Sequence, residues 1–234
     1  MTIRGVLFDK DGTLIDVNTT WVPFYRHMLQ DLFVTNVEGA EQLMEMAGYD
    51  RAAGKFLPGS ILAGGTTRQL IDVWWPGIDE EGAAAKVRVL DHDYAHLAKL
   101  ALAPLLPLGP LLTELRGMGL KLGVATNDSH VSALNHMAHM GVIEHFDDII
   151  AADTVVVPKP AGNMIRRFAE ITGLPPSEIA MVGDNSHDME EARNGGAGLA
   201  IAVLSGNAAH ADIAHLADHT IDSVADLPRL LRHL

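Results

Sequence analysis

Apolar residues along this chain fall into two kinds of run. The first is short, unbroken and partly β-branched, at residues 3–8, 120–125, 179–182 and 199–203. Each run ends in polar residues or glycine, the pattern of a strand buried on both faces of a parallel sheet. The second kind is helical in length and spacing, at residues 110–118, 130–140, 161–172, 188–194 and 208–217. Strands alternating with helices require crossover connections. The expected fold is therefore a doubly wound, Rossmann-like α/β parallel sheet with helices on both faces.

Residues 17–103 break this rhythm. They hold helical runs at 21–33, 41–55 and 80–102, and no run reads as a strand. Loops rich in glycine and proline separate the helices at 57–67 and 76–77, and Pro104, Pro107 and Pro110 close the segment. Prolines at such spacing suit a domain junction. The expected organisation is a core made of residues 1–16 plus 104–234, with a helical cap domain of residues 17–103 inserted after the first strand.

Composition narrows the function. With 234 residues the chain is long enough for a core and a smaller insert, and 48% hydrophobic with 20% charged residues is ordinary for a globular protein. A formal net charge of −13 argues against nucleic acid and anionic membranes as partners. A small phosphorylated ligand is not excluded, since it responds to the local field of its pocket and a bound metal inverts that field. The chain has no cysteine, so disulfides, thiolate catalysis and zinc–thiolate sites are ruled out. Its first apolar run meets Asp9 at once, too short to span a membrane and without a signal-peptide cleavage pattern, so cytoplasmic location is the expectation.

Polar residues that carry chemistry collect where the expected strands end, which is where open parallel sheets bind ligands. The first cluster is Asp9-Lys10-Asp11-Gly12-Thr13. One carboxylate can attack phosphorus while the other handles protons, and Gly12 allows the turn that aims both. An Asp-Gly turn that merely ends a strand accounts for this cluster equally well. The second is Thr126-Asn127-Asp128-Ser129, where a hydroxyl and amides at a helix start suit a phosphoryl oxygen, and where simple helix capping is the equal alternative. The third is Lys159 between Pro158 and Pro160, an ammonium on a stiff stretch able to neutralise phosphoryl charge, though lone lysines are mostly solvated. The fourth runs from Gly183 to Asp188. Capping by Asn185 or Ser186 explains part of it, but not Asp184 and Asp188 together, which favour a hard cation such as magnesium. Four acidic groups at one sheet edge call for a divalent metal.

In this order, FDKDGTLID, ATNDS, PKP and VGDNSHDMEEARNGGAG resemble the four signature motifs of the haloacid dehalogenase superfamily. The last stretch and its continuation to Leu234 are similar to the phosphoglycolate phosphatase-like branch. The resemblance implies Asp9 as nucleophile and magnesium ligand, and Asp11 as general acid and base whose backbone carbonyl also meets the metal. It implies Thr126 and the Asn127 amide as holders of phosphoryl oxygens, and Lys159 as their counter-charge. Asp184 and Asp188 complete the magnesium site, directly or through water. The insert resembles the family's mobile cap. Relatives that cleave carbon–halogen or carbon–phosphorus bonds lack a carboxylate at the position of Asp11, so its presence points to a phosphate ester, with phosphoglycolate the substrate the likeness suggests. Lys10 and the sequence Asp-Val-Asn at 16–18 depart from the family pattern.

The expected activity is hydrolysis of a small phosphomonoester metabolite through an aspartyl-phosphate. A β-phosphoglucomutase-like phosphotransferase and a non-catalytic binding protein on the same fold are the alternatives, and monomer and homodimer both stay open. Arg68, beside the glycine-rich stretch 60–67, is a candidate ligand for a substrate carboxylate or second phosphate; a solvated loop arginine is the plainer reading. His92 and His96 have metal-pair spacing but no further ligands nearby in sequence, which favours a solvated helix face. Trp74 and Trp75 are read as cap core.

Overall fold

The computed structural model describes residues 2–32, 37–93, 101–208 and 210–234. The chain opens on β1 (Gly5–Phe8) and at once leaves the sheet for the insert. There α1 (Val17–Leu32) and α2 (Val37–Met46) are followed by a hairpin of β2 (Tyr49–Asp50) and β3 (Lys55–Phe56). Then come α3 (Ile61–Gly64), α4 (Thr67–Trp74) and α5 (Glu80–Arg88), which runs into a π-helical turn over Val89–Asp93. Back in the core, α6 (Leu108–Gly117), β4 (Lys121–Thr126), α7 (His130–His139) and β5 (Asp148–Ala151) build one side of the sheet. The other side is α8 (Asn163–Thr172), β6 (Ile179–Gly183), α9 (Ser186–Gly195), β7 (Leu199–Val203), α10 (His210–Ile213), β8 (His219–Ile221) and α11 (Leu227–Arg232).

The six core strands are all parallel and lie in the order β5-β4-β1-β6-β7-β8. Alternate residues of each strand feed opposite faces. Val6 and Phe8 join Val124 and Val182 in one apolar cluster, whereas Leu7 joins Met181 and Phe168 in the other. Burial on both faces is why these strands read as unbroken apolar runs. The insert has an apolar cluster of its own, from Val17 to Leu90. Val17, Trp21, Phe24 and Met28 recur along one face of α1 and are buried in it. Trp74 is buried there too, and Trp75 packs against the same cluster.

Three expectations change. Residues 47–55 were read as the end of a helix over 41–55 but form a turn and most of the small hairpin. The helix expected over 80–102 ends at Arg88, before the π-helical turn, with residues 94–100, His96 among them, outside the described residues. Two core strands, β5 and β8, were not anticipated from the sequence.

Candidate active site

With β4 and β6 on either side of β1, the chain reverses its winding direction there, and the carboxyl ends of these three strands open into one crevice. Asp9 follows β1 directly, its amide continuing the ladder to the carbonyl of Val182 at 2.8 Å. The turn after it is built around Gly12, at φ +87°, where an added Cβ would lie 2.5 Å from Asp184 Oδ2. Neither the backbone angle nor the space tolerates a side chain. Gly183 is equally confined, since a Cβ there would meet the Asp188 carboxylate at 2.2 Å.

Lys159 organises the centre. Its Nζ donates to Asp9 Oδ1 at 2.6 Å, Asp188 Oδ1 at 2.7 Å and the Ala125 carbonyl at 3.0 Å. Burial pulls its pKa down, but Asp188 and Asp9 outweigh burial and hold it above the ordinary lysine value. Its loop is fixed from two sides. The Asn127 side chain accepts from the Lys159 amide at 3.1 Å, and buried Glu191 accepts from the amides of Gly162, Met164 and Ile165 at the start of α8. Glu191 lies on α9 three residues beyond Asp188, so one helix supports both the carboxylate and the lysine loop. The sequence reading missed it, since its neighbours on the helix, His187, Asp188, Glu190 and Asn194, give no sign that it is buried.

One oxygen each from Asp9, Asp184 and Asp188 lies within 4.8 Å of the other two, and all three residues are buried. Burial lifts Asp9 to a pKa of about 7, with Lys159 offsetting part of the rise and Asp188 and Asp11 adding to it. Burial, then Asp9 and Asp188, raise Asp184 well above its ordinary value. Three converging carboxylate oxygens form a hard-donor set, and their mutual repulsion is what a divalent cation relieves. These residues fit magnesium. The Asn207 amide donates to Asp184 Oδ2 at 3.2 Å from the loop after β7.

Asp11 sits beside this centre in a second network. Lys10, fully buried, places its ammonium 2.8 Å from Asp11 Oδ2, 3.0 Å from Asp128 Oδ2 and 3.2 Å from His136 Nδ1. Burial, and next Lys10, lower His136 to about 3, so the ring is neutral and its Nδ1 accepts a hydrogen bond from the Lys10 ammonium. Trp21 Nε1, from α1 of the insert, donates to the other Asp11 oxygen. Ser129 caps α7, as the plain reading held, but Asp128 is an ion-pair partner instead.

The insert closes over these groups. Asn127 Nδ2 donates to the Gly64 carbonyl at 2.9 Å, and Asn18 Nδ2 to Asn207 Oδ1 at 2.8 Å. The cleft beneath the insert is lined from the core by Asp9, Asp11, Thr126, Asn127, Lys159, Asp184 and Asp188 among others. Seven of the eight residues singled out from the sequence thus meet in one place. Arg68 does not join them. Its guanidinium turns to Asp72 at 3.0 Å and Glu80 at 2.7 Å, and it is absent from the cavity wall. Asp91, beside His92, has its carboxylate held by the Thr67 hydroxyl at 2.6 Å.

A family model of haloacid dehalogenase-like hydrolases matches residues 3–196, and this chain belongs to that family. Pyrophosphatase PpaX of Halalkalibacterium halodurans is 29% identical over 86% of this chain and 84% of its own length. A phosphoglycolate phosphatase of Chromobacterium violaceum is 36% identical over 51% of this chain and 52% of its own length. Among solved structures, a haloacid dehalogenase-like hydrolase from Bacteroides fragilis superposes with a TM-score of 0.75 at 19% identity, covering 97% of this chain and all of that one. That likeness concerns the fold. No helix among the described residues is long and apolar enough to cross a membrane.

Proposed function

We propose that this protein is a magnesium-dependent phosphatase that hydrolyses a small phosphomonoester through an aspartyl-phosphate. The observation that carries the reading is the buried Lys159–Asp9 pair at 2.6 Å, at the mouth of β1 and within reach of two further carboxylates. A lysine held there neutralises a phosphoryl group arriving beside a carboxylate nucleophile. Residues 17–103 serve as the cap and residues 1–16 with 104–234 as the catalytic core, acting in the cytoplasm.

Asp9 attacks phosphorus. With Oδ1 held by Lys159, Oδ2 is the oxygen assigned to the new bond. As the bond from phosphorus to the leaving oxygen breaks, Asp11 gives that oxygen a proton. Asp11 then takes a proton from water, whose oxygen attacks the aspartyl-phosphate and releases phosphate and free Asp9. The Thr126 hydroxyl and Asn127 amide hold phosphoryl oxygens, while the Thr126 oxygen accepts from the Asp128 amide at 3.1 Å and is thereby oriented. Magnesium, held by Asp9, Asp184, Asp188 and the Asp11 carbonyl, neutralises phosphoryl charge when bound. Cap closure keeps bulk water from the centre.

The test is phosphate release from a panel of phosphomonoesters with magnesium, ranked by kcat/KM and including phosphoglycolate. Release without a phosphorylated activator separates hydrolysis from phosphotransfer. No release from any member, p-nitrophenyl phosphate included, contradicts the proposal.

A further inference from the structure

The space beyond the reaction centre has a chemistry that the relatives' names do not foretell. Two cavities adjoin. The second, a smaller cleft, shares Trp21, Tyr25, Thr67, Leu70 and Asp128 with the first. It extends between α1, α4 and the π-helical turn, away from Lys159. On the phosphatase reading, phosphorus sits at Asp9 and Asp11 marks the exit side within the first cleft, so the leaving group would face the wall that the two clefts share.

Its walls are apolar and acidic. Trp21 and Tyr25 stack at 5.8 Å between ring centroids with 29° between planes, and Leu62 and Leu70 face the same chamber. The charged groups there are Asp91 and Asp128, both carboxylates. Among the described residues, Lys159 is the one lysine or arginine lining either cavity, and Asp9 and Asp188 already occupy it. Lys10 lies wholly behind the wall between Asp11 and Asp128, and Arg68 is turned outward. Asp128 is already matched by Lys10, so a leaving group bearing a carboxylate or a second phosphoryl group would meet the like charge of Asp91 with no free lysine or arginine among the described residues of the wall.

We infer that the natural substrate is a phosphomonoester of an alcohol that carries no negative charge and presents an aromatic or aliphatic face to Trp21, Tyr25, Leu62 and Leu70. This rests on the phosphatase reading above and narrows it. Phosphoglycolate and pyrophosphate, which figure in the names of relatives, are then poor substrates.

The experiment compares kcat/KM of the full-length protein with magnesium for benzyl phosphate and 4-carboxybenzyl phosphate, whose leaving groups differ chiefly in charge. Phosphoglycolate and pyrophosphate are run alongside. Benzyl phosphate is expected to lead each anionic substrate by at least about tenfold. In Asp91→Asn, which keeps the side-chain shape, the benzyl to carboxybenzyl ratio is expected to fall at least about threefold. A smaller preference in the native protein, or a reversed one, overturns the inference and leaves the phosphatase standing. An unchanged ratio in Asp91→Asn overturns the role given to that charge. No phosphate from any substrate overturns the phosphatase reading itself, and the inference with it.

Discussion

Replacing Lys10 with methionine keeps the apolar stem of the side chain and removes its ammonium. In the folded protein that group is 0% exposed and bridges Asp11 and Asp128. Removing one partner of a buried ion pair costs about 3–5 kcal/mol, mostly because the other charge is left stranded. The Asp11 and Asp128 side chains keep 15% and 13% exposure, so water can reach the stranded carboxylates. The expected loss therefore lies at the low end, about 3 kcal/mol. For a chain of this length it corresponds to a melting temperature lower by about 6–12 °C, measured by circular dichroism. Asp128→Asn added to Lys10→Met removes one stranded charge and should recover about half of the loss. Kinetics give an independent readout. Asp11 freed from its anchor should lower kcat on alkyl phosphates more than on aryl phosphates, whose leaving oxygen needs little protonation. A Lys10→Met protein melting within about 2 °C of wild type, with unchanged kcat on alkyl phosphates, would refute the reasoning.

Other outcomes follow from the same geometry. Asp9, raised to about 7, keeps a proton in the folded metal-free protein that the unfolded chain gives up near 3.8. Stability without metal should therefore fall as pH climbs through that window, by on the order of 4 kcal/mol from Asp9, and a bound cation should restore it. Magnesium is expected to raise the melting temperature more at about pH 8 than at about pH 5, and equal shifts would contradict the cluster's role. Arg68→Ala should leave kcat/KM within about twofold for every substrate, since its surface ion pairs are worth at most about 1 kcal/mol; a selective loss on carboxylated substrates would place Arg68 at the site after all. Gly12→Ala should abolish turnover and lower the melting temperature, because its Cβ would collide with Asp184; a fully active variant would show that the turn is not needed.

The strands that carry chemistry were legible because each is buried on both faces and so reads as an unbroken apolar run. The two missed strands escape for different reasons: β5 is buried on both faces, but its apolar run is short. β5 is four residues bounded by acids, and β8, at the sheet edge, is half-buried throughout and contains a histidine and a threonine. The cap hairpin has two residues per strand, too short for any periodicity to register. At the site, strand-end position singled out six groups that the fold brings together, because parallel topology lines up the ends of β1, β4 and β6, and the two flanking prolines singled out the seventh, Lys159, on the loop after β5. Position along the chain could not show Lys10 paired with Asp128 and His136, which lie more than a hundred residues away. Nor could it show where Arg68 turns, since that depends on Glu80 from the next helix.

The central claim is that Asp9 takes the phosphoryl group and Asp11 governs its release. The most direct measurement is intact mass spectrometry of rapidly quenched protein after mixing with an aryl phosphate and magnesium. Asp11→Asn should accumulate a single added phosphoryl group, because Asp9 still attacks while no base activates water. Asp9→Asn, whose amide is a very poor nucleophile, should show no adduct and no turnover. An adduct of equal size on Asp9→Asn would place the nucleophile elsewhere and contradict the account.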